Sequence, residues 1–138
     1  MAIPYLACML ATAQFYHLPP RVLPSIQAVE GGFAGAIHPN KDGSDDLGVM
    51  QINTAWVQPI ARYTHMSEAS VQSRLVADEC FNIAAAGLIL RSYMTEARGD
   101  VMTAIGYYHS HTGALSRAYQ AKVWASAAAL FGGGGGAR

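Results

Sequence analysis

Val22-Leu23-Pro24-Ser25-Ile26-Gln27-Ala28-Val29-Glu30 runs directly into Gly31-Gly32. Leu23, Ile26 and Val29 recur every three residues, the spacing of one apolar face on a short helix. Pro24 lies near its start, where a missing N–H is tolerated. Glu30 stands one turn beyond Ile26 and so borders that face. The glycines that follow are conformationally permissive and leave access to the carboxylate. The chain holds only nine Asp and Glu, and this one is alone inside an apolar stretch. Taken by itself, Glu30 is equally a solvated residue at a helix end. A carboxylate against apolar neighbours has its charged form disfavoured, however, and that is what a proton donor near neutral pH requires.

Working outward, Ile3 to His17 reads as a helix with Leu6, Met9, Leu10 and Ala13 on one face, closed by Pro19-Pro20. From Gly31 to Asp46 the chain is rich in turn formers, and Asn40-Lys41-Asp42-Gly43-Ser44-Asp45-Asp46 is a turn rather than a calcium loop. Counting from Asn40, it lacks Gly at the sixth position and Glu at the twelfth. Thr54 is placed to cap a helix to about Tyr63, and Ser67 opens another with Val71 and Leu75 inward. Asp78 opens the longest helix, to about Arg98, ended by Gly99. Its Ala84-Ala85-Ala86-Gly87 run permits close helix approach, so this helix is central. Asp100 caps the next, through Tyr107. His109 to Gly113 is a break, and a last helix covers about Ala114 to Phe131. The fold class is all-α, or α with a minor β-hairpin inside residues 36–50. One domain spans 1–131, and 132–138 is a flexible Gly-rich tail.

At 138 residues the chain is long enough for one real core. It is 51% apolar and 13% charged, yet no run reaches the roughly 20 apolar residues of a membrane span. Nine basic residues balance nine acidic ones without a basic patch, which argues against nucleic acid and for a neutral polymer or small ligand. Cys8 and Cys80 are either two buried thiols or a disulfide, and a disulfide implies an oxidising compartment. Met1 to Leu10 lacks the basic start and cleavage site of a secretory signal.

Three segments carry the chemistry: Ala28-Val29-Glu30-Gly31-Gly32-Phe33, Asp46-Leu47-Gly48-Val49-Met50-Gln51-Ile52-Asn53, and Gly106-Tyr107-Tyr108-His109-Ser110. In this order and spacing they closely resemble the lysozyme-like lytic transglycosylases, and among these the small specialised enzymes of secretion, conjugation and pilus systems. The resemblance runs from about Cys8 to Val123. It implies that Glu30 is the single catalytic acid. It implies that Gly48, Met50, Gln51, Ile52 and Asn53 line the sugar cleft. Tyr108, His109 and Ser110 match a segment beside the acid, where the Tyr hydroxyl lies close to the carboxylate. Tyr119 matches a tyrosine that often faces the same groove. Cys8 and Cys80 match a pair that forms a disulfide. The chain departs from the family at Gly31, where Ser is usual.

The resemblance further implies cleavage of peptidoglycan glycan strands without a cofactor, in the periplasm or cell envelope. The protein would act as a monomer, with components of a secretion or conjugation apparatus as partners. Ordinary glycosidases add a second carboxylate to the acid. Asp42, Asp45 and Asp46 are nearest in sequence and none is obviously aimed at Glu30, which favours a one-acid route. Two rivals stand beside it: a hydrolytic muramidase using one of those aspartates, and a wall-binding module without activity. His109 and His111 form a weak metal pattern, with no third ligand nearby. Arg91, Arg98, Arg117 and Lys122 read as solvated helix faces, and Trp56 and Trp124 as core.

Overall fold

A computed structural model describes residues 2–132. Among them are seven α-helices: α1 (Leu6–Tyr16), α2 (Val22–Glu30), α3 (Val57–Thr64), α4 (Glu68–Ala77), α5 (Glu79–Glu96), α6 (Val101–His109) and α7 (Gly113–Ala127). A small antiparallel sheet of β1 (Ile37–Pro39), β2 (Asp45–Leu47) and β3 (Ile52–Asn53) lies between α2 and α3, in the order β1-β2-β3. The domain is thus helical with a minor sheet, the lysozyme-like arrangement expected. Of the Gly-rich tail expected over 132–138, Gly132 closes a short π-helical turn, Ala128–Gly132, that continues α7, and 133–138 lie outside the described residues.

Val22 through Gln27 are all buried, so α2 is sunk in the core rather than laid on it. Gly31 ends the helix in the left-handed region at φ 69°, its N–H bonded to the Gln27 carbonyl at 2.8 Å. A glycine reaches that conformation without a Cβ penalty. α5 is the other central element. Its N-cap is Asp78, which accepts from the Phe81 N–H, as Ser67 and Asp100 cap α4 and α6. Gly87 lies where α1 crosses α5: a Cβ there would collide with Thr12 and Tyr16. α1 therefore packs through Met9, Thr12 and Ala13, while Leu6 and Leu10 remain 36% and 45% exposed. The expected apolar face is rotated, because contact with α5 selects the small residues. Cys8 and Cys80 form a disulfide with Cα atoms 5.4 Å apart, tying α1 to the first turn of α5.

The hairpin forms as expected within 36–50, and a third strand, Ile52–Asn53, joins β2 in register Asp46↔Asn53 and Leu47↔Ile52. The Asn40–Ser44 turn is closed internally, with Asp42 accepting from the Ser44 N–H and hydroxyl at 2.9 and 2.6 Å. Asn53, rather than Thr54, caps the next turn by accepting from the Ala55 N–H. One fully buried side chain anchors the segment behind β2. The Asn82 amide donates to the Leu47 and Leu75 carbonyls at 2.9 and 2.8 Å and accepts from the Met50 N–H at 2.8 Å. Gly48 sits against it at φ 69°, where a Cβ would strike the Leu75 carbonyl and the Asn82 amide. These contacts hold the hairpin and the 47–53 segment opposite the end of α2.

Candidate active site: a carboxylate at a helix end

Glu30 closes α2 facing an open cleft of about 580 Å³. Its walls come from the hairpin (Asn40, Asp46), from Gln51, Ile52 and Asn53, and from the α6 end with the residues after it (Tyr107, Tyr108, His109, Ser110). Gly32 brings the turn after Glu30 directly onto the Gly48 and Val49 carbonyls, leaving no space for a Cβ. Gln27 supports that turn by donating to the Gly32 carbonyl at 3.0 Å. Gly31, in contrast, has nothing within 4 Å of where a Cβ would stand, so the missing Ser leaves open space beside the acid.

The direct partner of Glu30 is Tyr119 on α7, whose hydroxyl donates to the carboxylate at 2.6 Å. Burial raises the Glu30 pKa above the ordinary carboxylate value. The Tyr119 hydrogen bond pulls it back down, the Asp46 charge pushes it up and the Lys122 charge lowers it. The Tyr119 phenol is itself held far above its usual range, first by burial and then by the Glu30 charge, so it remains a donor. The resemblance implies that the Tyr108 hydroxyl lies close to the carboxylate, and no hydrogen bond joins the two. Its hydroxyl donates to the Met50 carbonyl at 2.8 Å, and the Glu30 charge adds to the upward effect of burial on its pKa.

Gln51, Ile52, Asn53, His109 and Ser110 line the cleft as read from the sequence. Gly48 and Met50 do not: both are buried behind it, as the backbone on which Gln51 and Tyr108 rest. Gln51 is held at φ 52° with its amide nitrogen donating to the Gly48 carbonyl at 3.0 Å. Asn53 donates to Ser44 and to the Asp46 carboxylate at 2.9 and 3.0 Å. The Ser110 hydroxyl is spent on the Thr112 N–H at 3.0 Å.

Two features were not legible. Asp42 and Asp46 both line the cleft with Glu30, but the Asp42 carboxylate accepts from Ser44 in its own turn, and of the two only the Asp46 charge acts on Glu30. Because β2 pairs with β1 and β3, alternation along it puts Leu47 inward and leaves Asp46 on the cleft side. The second feature is an aromatic wall of Trp56, Tyr93, Tyr107 and His111. Tyr107 and His111 stack at 4.1 Å, and Tyr93 meets Trp56 edge-on at 5.9 Å. Trp56 is therefore a half-buried wall residue rather than core, and Trp124 is 68% exposed on α7. His111 pairs with Glu96 at 2.9 Å and His109 stacks on Tyr119, so the two histidines serve different neighbours.

Sequence comparison places the chain among known proteins. The sequence model of a family described as "Transglycosylase SLT domain" matches residues 7–131. The "Invasion protein IagB" of Salmonella typhimurium is 28% identical over 122 residues, covering 85% of this chain and 72% of that protein. "Protein IpgF" of Shigella sonnei is 29% identical over 114 residues, covering 80% and 71%.

Proposed function

The chain belongs to the transglycosylase SLT domain family, and we propose that it cleaves the β-1,4 bond between N-acetylmuramic acid and N-acetylglucosamine in peptidoglycan. The observation that carries the proposal is Glu30: a carboxylate with raised proton affinity, held by Tyr119, in an open polar cleft. Burial keeps the acid form populated toward neutral pH, as a general acid needs. Glu30 gives its proton to the glycosidic oxygen, and the C1–O bond breaks with oxocarbenium character at the muramic acid carbon. The substrate's own N-acetyl group supports that centre. The Tyr119 hydroxyl meanwhile stabilises the carboxylate left behind. That carboxylate then takes the proton of the C6 hydroxyl as its oxygen bonds to C1. A 1,6-anhydro sugar leaves, and Glu30 is again protonated. No water is consumed.

A second reading rests on Asp46. It lies in the same cleft with its carboxylate oriented by Asn53, so it is placed to serve a hydrolytic route in which water replaces the C6 hydroxyl. Mass spectrometry of the released muropeptides decides between them: anhydro ends support transglycosylation, reducing ends hydrolysis. Binding to sacculi with no released product would leave the chain a wall-binding module. The disulfide suits an oxidising compartment, which supports action in the periplasm or cell envelope. The similarity to a protein named for invasion supports local wall opening for an envelope-spanning machine.

A further inference from the structure

His109 is the last residue of α6, exposed at the cleft, and its ring lies flat on Tyr119 with centroids 4.9 Å apart and planes 8° from parallel. Tyr119 is 5% exposed, and its hydroxyl is the donor to Glu30. The imidazole makes no hydrogen bond to the described residues, so its face rather than its nitrogens makes the contact. Nothing in the assignment of Glu30 as an acid requires a flat ring at this position.

We propose that His109 is a positioning residue: its ring, lying on the phenol of Tyr119, holds the Tyr119 hydroxyl on Glu30 and keeps water from that hydrogen bond. Hydrogen-bond strength falls steeply with misalignment, so a ring that fixes the plane of the phenol fixes the strength of the bond. The stacked imidazole covers one face of a tyrosine that is 5% exposed. The chain of contact runs from α6 through α7 to the end of α2. The C-terminal ends of α6 and α2 are thereby joined through Tyr119 at the acid. His111, two residues on, belongs to the Tyr107 and Glu96 contacts and takes no part in it.

This inference rests on Glu30 being the acid, and two readouts separate its failure from a failure of that assignment. The first is kinetic, on purified sacculi with the full chain. His109→Ala lowers kcat about 2- to 10-fold at unchanged KM, the range a stacked aromatic pair supports. His109→Phe, which stacks without hydrogen-bonding nitrogens, restores kcat to within about twofold. The second needs no turnover: NMR of ring-13C-labelled tyrosine follows how the Tyr119 signal responds as Glu30 titrates. That response persists in wild type and His109→Phe and is reduced in His109→Ala. A rise in KM with kcat intact in both variants would make His109 a substrate contact and overturn the proposal. So would a Tyr119 response that is equal in all three proteins.

Discussion

Tyr119→Phe removes one oxygen and keeps the ring, which isolates the hydrogen bond to Glu30. Tyr119 is 5% exposed on α7, which packs on α2, and Phe keeps the same ring there, so the fold is retained. Hydrogen bonds to an ionised partner are worth about 1.5–3 kcal/mol, and this one, at 2.6 Å, favours the carboxylate. It opposes burial, the largest influence on Glu30, which favours the acid. Without the hydroxyl, burial and the Asp46 charge are opposed only by Lys122, so the Glu30 pKa rises further. At about 1.4 kcal/mol per pH unit, the alkaline limb of the pH–rate profile moves up by about one pH unit or more. The plateau rate falls about tenfold, because the carboxylate loses its orienting donor in the second proton transfer. The assay is the initial rate of soluble muropeptide release between about pH 4 and 9. Tyr108→Phe is the control: its hydroxyl is committed to the Met50 carbonyl, so it loses about 1 kcal/mol of stability and its limb stays in place. An alkaline limb unmoved in Tyr119→Phe, or displaced equally in Tyr108→Phe, would refute the assignment of Tyr119 as the tuning donor.

Glu30→Gln should make the protein more stable than wild type, and more so at neutral than at acidic pH. A Glu whose folded pKa is raised costs stability as pH climbs from its unfolded value to its folded one, and Gln escapes that cost; urea unfolding at both pH values checks the sign. Asn82→Ala strands the Leu47 and Leu75 carbonyls and the Met50 N–H in the core, and should cost about 3–5 kcal/mol by the same measurement. Replacing Cys8 and Cys80 together with Ser should cost about 4 kcal/mol, the chain-entropy value for a crosslink of 72-residue separation. A loss below about 1 kcal/mol would mean that the crosslink does not restrain the unfolded chain.

Local signals carried most of the fold. Ser67, Asp78 and Asp100 read as caps and do cap, because a side-chain oxygen bonding an N–H three residues on is a local event. The stop of α2 at Gly31 is local too. What failed depends on tertiary choice. The apolar face of α1 is set by α5, where Gly87 admits Thr12 and Tyr16, and Leu6 and Leu10 then turn outward. The third strand is only two residues long and lies just beyond Gly48 and Gln51, whose left-handed conformations break any alternation. At the site, Glu30 was legible as an isolated acid on an apolar helix. Its partner was not, since Tyr108 and Tyr119 are both helical tyrosines and only packing decides which hydroxyl reaches the carboxylate. The same holds for Asp46, which strand pairing sets apart from Asp45 and the Ser44 contacts of the turn set apart from Asp42.

The central claim is that Glu30 transfers the proton that breaks the glycan strand. Purified sacculi incubated with wild type and with Glu30→Gln, followed by mass spectrometry of the soluble fraction, test it directly. The expected result is 1,6-anhydro muropeptides from wild type and none from Glu30→Gln. Identical products from both proteins, or sacculi left intact by wild type, would contradict it.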